Sequence, residues 1–188
     1  MRAVSTRPFV GSLAVVLVVL ALSGCAASPR PEPTRSAPSS APVFASDEEA
    51  LAAAEKAYAA YLEVADLVFN EGGAKPERFR SVAVDQALDD SLVSADEFVM
   101  RDAHTAGRTA FEVYRLQSAD YQSVRSLSIT IYVCDDVSNV GLFDSSNDSL
   151  VSPDRQNVTP FTVTVVGDGS ETLRVSSRAV WPSESFCT

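Results

Sequence analysis

The chain has 188 residues, with 15 Lys and Arg against 25 Asp and Glu and a formal net charge of −10. That length holds one domain of ordinary size with appendages, and not two large independent cores. The acidic balance argues against a nucleic-acid binder that tracks phosphates, and against docking on anionic lipid through surface charge.

Arg2 and Arg7 make a positive start, followed by an apolar or small run of 14 residues from Phe9 to Leu22. A helix needs about 20 residues to cross a hydrocarbon core, so the run reads as the apolar region of a secretory signal peptide. Leu22-Ser23-Gly24-Cys25 follows directly. This box resembles that of bacterial lipoproteins, in which the Cys thiol is alkylated by diacylglycerol, the chain is cut just before it, and the new amine is often acylated. The resemblance implies a signal peptide over residues 1–24, lipidation of Cys25, palmitate-type acylation, and anchorage at the extracytoplasmic face of the cell membrane. Two or more acyl chains, at about 0.8 kcal/mol per buried methylene, hold a protein on a bilayer where one does not. The other readings are an ordinary secretory cleavage that leaves a free Cys, and an uncleaved anchor helix. Cleavage before Cys25 removes two basic residues and no acid, leaving 13 basic against 25 acidic side chains, a net −12.

Apart from Val43, residues 26–43 are Ala, Ser, Pro, Arg, Glu and Thr with almost nothing to bury, and five prolines fall between Pro29 and Pro42. Such a stretch does not offset its ordering entropy, and reads, with Cys25, as a solvated tether over 25–43. One domain then spans 44–188. Ser46 to Glu49 matches the Ser-x-x-Glu capping box. Leu51, Ala54, Tyr58, Tyr61, Leu62, Ala65, Val68 and Phe69 follow as a helical stripe, and Gly72-Gly73 can end it. Pro76 opens a short helix through Phe79 and Val82. A further helix with Leu88, Leu92, Phe98 and Val99 runs to about Ala103. Ser94 to Glu97 repeats the capping-box pattern inside it and can divide it in two.

The period changes to two from about Thr109. Phe111 and Val113 alternate with polar residues; so do Leu127, Ile129, Ile131 and Val133, and then Phe161, Val163 and Val165. Gly167-Asp168-Gly169 makes a turn, after which Leu173, Val175, Ala179 and Trp181 are expected on one face, so that the last two segments form an antiparallel hairpin. Val140 to Phe143 supplies a short strand or edge segment.

Helices first and strands afterwards predict an α+β fold, with N-terminal helices packed on a curved antiparallel β-sheet. That order, with a long capped first helix, resembles the nuclear-transport-factor-2-like fold, the cystatin-like or ketosteroid-isomerase-like cone, over about residues 46–181. Cone domains of this type occur in actinobacterial envelope lipoproteins, and the chain looks like one of those. The resemblance implies a pocket between the sheet and the first helix, with Tyr58, Tyr61, Phe98, Tyr114 and Trp181 as candidate lining. Enzymes of the family set an Asp base there, opposite Tyr and protonated acid donors. No Asp or Glu of this chain is singled out for that role, so no catalytic residue is assigned.

With Cys25 set apart, Cys134 and Cys187 remain, an even pair in an exported protein. A disulfide fits best, beside free thiols, a redox pair or a two-thiolate metal site. Cys134 has the parity of Thr130 and Tyr132, so the bridge should pin the Pro182–Cys187 tail to the outer face or end of the sheet. His104, the only histidine, reads as a partly exposed residue at the helix-to-strand junction. Asp144, Asn147, Asp148 and Asp154 gather oxygens in one loop without EF-hand alternation, and read as a solvated turn more readily than a calcium site. Asn157-Val158-Thr159 matches a glycosylation sequon, which carries little weight in a bacterial lipoprotein. No metal or cofactor is assigned.

The function expected is that of a non-enzymatic binding or interaction module of the cell envelope, membrane-anchored through its lipid, with an envelope protein or a small apolar ligand as partner and no nucleic acid. Acid–base isomerase or dehydratase chemistry in the cone pocket is the alternative, and a subunit of an envelope secretion or transport complex is a third reading.

Overall fold

The structure is a computed structural model, and it describes residues 42–121, 126–183 and 185–187. The expected leader, the expected lipobox with Cys25 and nearly all of the expected tether lie outside the described residues. The domain is α+β, with helices packed on one face of a curved antiparallel sheet.

Helix α1 spans Asp47–Asn70. Ser46 caps it from an extended conformation, its Oγ accepting from the Glu49 amide at 3.3 Å, while Glu49 Oε2 accepts from the Ala45 amide at 2.7 Å. Three acids in the first turn face the positive end of the helix dipole. Ala50, Ala54, Tyr58, Leu62, Ala65 and Val68 form its buried stripe. At its C-terminal end the Gly73 amide bonds Val68 O at 2.9 Å with φ +84°. A Cβ there would stand 2.2 Å from the Ala95 carbonyl oxygen, so this glycine is what lets the end of α1 meet the next helix.

A 3-10 turn over Pro76–Ser81 buries Phe79 and leads to helix α2, Asp85–Arg101. The helix is continuous, and the expected division at Ser94 does not occur. Ala87, Ser91 and Ala95 all lie on its buried side, and breaking the helix at Ser94 would pull Ala95 away from Gly73. Its entry is set by backbone instead of a side-chain cap: Val84 N–H bonds Val175 O and Val175 N–H bonds Val82 O, both at 2.9 Å.

Among the described residues the strands are β1 (His104–Ala106), β2 (Ala110–Asp120), β3 (Leu127–Asp136), β4 (Gly141–Phe143), β5 (Val158–Gly167) and β6 (Arg174–Val180). The main sheet is an antiparallel meander in the order β2-β3-β5-β6, and β1 pairs with β4 apart from it. The expected β5–β6 hairpin is present. Register shifts in β2, and one between Thr164 and Val165 opposite β6, bend the sheet. Ile129, Ile131 and Val133 face Val165, Val163 and Phe161 across the ladder, and this surface closes on the α1 stripe as the core.

The shift in β6 overturns one expectation. Val165 pairs with Val175 but Thr164 pairs with Ser177, leaving Ser176 as the extra residue. Side-chain parity inverts there, because a strand alternates strictly only while its ladder is continuous. Val175 therefore points into the core, whereas Ala179 and Trp181 lie with the outward-facing Thr162 and Tyr132. Arg178, opposite Val163, points inward in their place.

Cys134 bonds Cys187 with Cα atoms 5.7 Å apart, and the tail lies on the outer face as expected. Phe186 stacks on Tyr114 at 4.9 Å and packs against Tyr132 at 5.5 Å. The bridge closes a span of 53 positions, for which loop entropy gives at most about 4 kcal/mol. The double replacement Cys134→Ser/Cys187→Ser is expected to lower unfolding free energy by up to that amount, seen as a lower urea midpoint with the circular dichroism retained. An unchanged midpoint would show that the tail contributes nothing to the fold.

Candidate functional site

Asp135 continues the inward-facing series Leu127, Ile129, Ile131, Val133 and is 2% exposed. An unpaired carboxylate there would be prohibitively costly. It is met from two sides. Tyr58 of α1 donates its hydroxyl to Asp135 Oδ2 at 2.6 Å, and Arg178 of β6 donates Nη2 to the same oxygen at 2.5 Å. Arg178 Nε also donates to the Tyr58 oxygen at 2.9 Å, so the three groups close a ring of hydrogen bonds. The guanidinium carbon sits 3.4 Å from the centre of the Phe161 ring, and Phe111 meets Tyr58 edge-on at 5.1 Å. Asp135 Oδ1 is buried with no partner among the described residues.

The electrostatics follow from this closure. Burial holds the Tyr58 phenol well above its ordinary range, with Arg178 pulling against it and Asp135 adding to it. Burial opposes the charge on Arg178, but the facing Tyr58 and Asp135 outweigh it and hold the guanidinium protonated above its ordinary value. Nearer the end of α1, burial raises Asp66 against the pull of its hydrogen bonds from the Thr109 amide and hydroxyl.

A base for acid–base catalysis must face a space where substrate can sit. Asp135 spends its bonded oxygen on a phenol and a guanidinium. A cavity of about 140 Å³ touches Arg178 and is lined by Tyr61, Phe69, Ser91 and Ser94 among others, not by Asp135 or Tyr58. Ser91 gives its proton to Ala87 O at 2.7 Å, so Tyr61 must be the donor in their 3.0 Å contact.

The five residues expected to line one pocket are divided by the sheet. Tyr58 is fully buried in the core, Tyr61 lines the small cavity, and Phe98 stacks on Phe69 at 4.8 Å. Tyr114 and Trp181 lie on the opposite face with Tyr132 and Phe186. The register shift in β6 places Trp181 there, whereas Tyr114 reaches that face by ordinary alternation with the inward-facing Val113. There Tyr114 and Phe186 border a groove of about 470 Å³ floored by the disulfide. His104 stacks on Phe143 in the β1–β4 pair at 5.7 Å. Asp144 accepts from the Ser146 and Asp148 amides, and Asn157 accepts from Arg155 Nε. Sequence reasoning missed Asp135 and Arg178. The first has the parity of the apolar face, a legible signal; the second is hidden by the bulge.

No family model matches the chain, and no curated protein matches it in sequence. Among solved structures it is similar to the intermembrane space region of the chloroplast protein ARC6, with a TM-score of 0.50 and 15% identity over 69% of this chain and 95% of that one. A structure from Catenulispora acidiphila gives a TM-score of 0.40 at 16% identity, over 70% of this chain and 90% of that one. At those identities the first likeness shows the fold alone, and the second score carries no weight. Among the described residues no helix is long and apolar enough to cross a membrane.

Breaking the buried pair from one side should be far worse than removing it whole. Arg178→Met is expected to cost about 3 kcal/mol, the low end for a buried pair because the side chain is 27% exposed. Asp135→Leu/Arg178→Met should recover most of that loss in urea unfolding. Additive losses would show that the two side chains do not act as a unit.

Proposed function

We propose that the chain is a lipoprotein held at the extracytoplasmic face of the cell membrane through Cys25, and that residues 44–188 form a cone-like interaction module of the nuclear-transport-factor-2-like type, acting by binding and not by catalysis. Residues 26–43 are its spacer. The lipobox and the short apolar run before it support the anchor. The Cys134–Cys187 bridge supports export, since such bonds persist in oxidising compartments.

One observation carries the choice of binding over catalysis. The space between α1 and the sheet, where the resembling enzymes hold substrate, is occupied by Tyr58, Asp135 and Arg178, bonded to each other. The partner is then an envelope protein or small apolar ligand met on the outer surface.

Mass spectrometry of protein extracted from the membrane tests the anchor. The expected product begins at Cys25 and carries diacylglycerol on its sulfur, and Cys25→Ala accumulates as unprocessed precursor. An intact leader on the wild-type chain, or an unmodified start beyond Cys25, would overturn the reading.

A further inference from the structure

The groove on the outer face combines features that the buried centre lacks. Glu112 pairs with Cys134 and Ala110 with Asp136 across the β2–β3 ladder, so Glu112 and Asp136 share one face as diagonal neighbours, two positions apart along the ladder. Both border the groove, and neither has a cation partner among the described residues. Hydrogen bonding from Ser138 holds Asp136 below the usual carboxylate range. Tyr114, 55% exposed, and Phe186 supply a stacked aromatic wall, and Val158 adds an apolar side. From beyond the groove, Arg115 already lies over the rings of Tyr114 and Tyr132, at 5.9 and 5.1 Å from their centres. This aromatic cluster therefore accepts a cation on one flank and offers an open, anionic flank on the other.

We propose that this groove takes a lysine or arginine side chain from an extended, basic segment of a partner protein. Its apolar stem would pass Val158 and the rings while its head meets the two carboxylates, a match of amphipathic side chain to amphipathic groove. The extended form follows from β2. It is an edge strand of 11 residues, and among the described residues its backbone makes no bonds beyond those to β3. An added strand would satisfy that edge. Charge selects the sign of the partner: residues 44–188 carry 24 acidic against 11 basic side chains, a net −13 that repels acidic segments and steers basic ones. Phe186 is held over Tyr114 by the neighbouring Cys134–Cys187 bond, so the groove depends on that bond. The inference deepens the interaction-module reading and rests on it.

The probe is a fluorescent eight-residue peptide alternating Lys and Val, titrated into the full chain in detergent, with the Glu and Val peptide as control. The Lys peptide is expected to bind and the Glu peptide to fail. Glu112→Gln/Asp136→Asn and Tyr114→Ser should each weaken binding, the double variant by about tenfold. Asp89→Asn/Asp96→Asn on α2 removes the same charge elsewhere and should change affinity less than twofold. Reduction of the disulfide, with folding checked by circular dichroism, should abolish binding. Equal losses in the two charge variants, or tight binding by the Glu peptide, would overturn the groove. Failure of the Lys peptide to bind protein whose Cys25 is shown to be acylated would overturn the groove and leave the anchored module standing. Binding by a chain with an unmodified Cys25 would do the reverse.

Discussion

The buried carboxylate of Asp135 constrains the rest of the domain, because it has to be met by partners from two other elements. Tyr58 brings α1 to it and Arg178 brings β6, so one oxygen ties helix, central strand and edge strand together. Such a pair contributes little net stability, since desolvating two charges offsets most of their attraction. Its effect is on which arrangements are allowed. A one-residue slip of β6 would turn Arg178 outward and leave Asp135 buried and uncompensated, a penalty that apolar partners of the same size would not impose. The Ser176 bulge and the ion pair are two halves of one device: the bulge turns Arg178 inward, and the pair makes any other register costly.

The same bulge shapes the outside. By inverting parity it places Trp181 beside Tyr132 on the exposed face, where the disulfide returns Phe186 to join them. The interior is closed by its own polar side chains, and the aromatic surface lies beyond the sheet.

Much of this was legible in the residues. The Ser46 cap, the α1 stripe, the alternation of β3 and the outward parity of Cys134 are local signals, and local signals survive into the fold where packing agrees with them. Asp135 was legible in the same alternation, one step past Val133. Two features were not. Val175-Ser176-Ser177-Arg178 contains no glycine or proline to mark a bulge, so an unbroken period of two assigns Ala179 and Trp181 to the wrong face. The capping-box pattern at Ser94 is locally sound, but Ala95 lies against the Gly73 turn and the helix runs through it. In both places a tertiary contact decides between conformations that local chemistry leaves close in energy.

Tyr58 reports most directly on whether the centre is sealed. With tyrosine ring-carbon labels and an assigned Tyr58 signal, a pH titration by nuclear magnetic resonance follows its ionisation in the folded domain. A closed ring of Tyr58, Asp135 and Arg178 requires Tyr58 to stay a phenol until the pH at which the domain itself unfolds. Reversible ionisation of Tyr58 at about pH 10, the ordinary phenol value, with the fold intact would mean that the interior is open to solvent and would contradict the account.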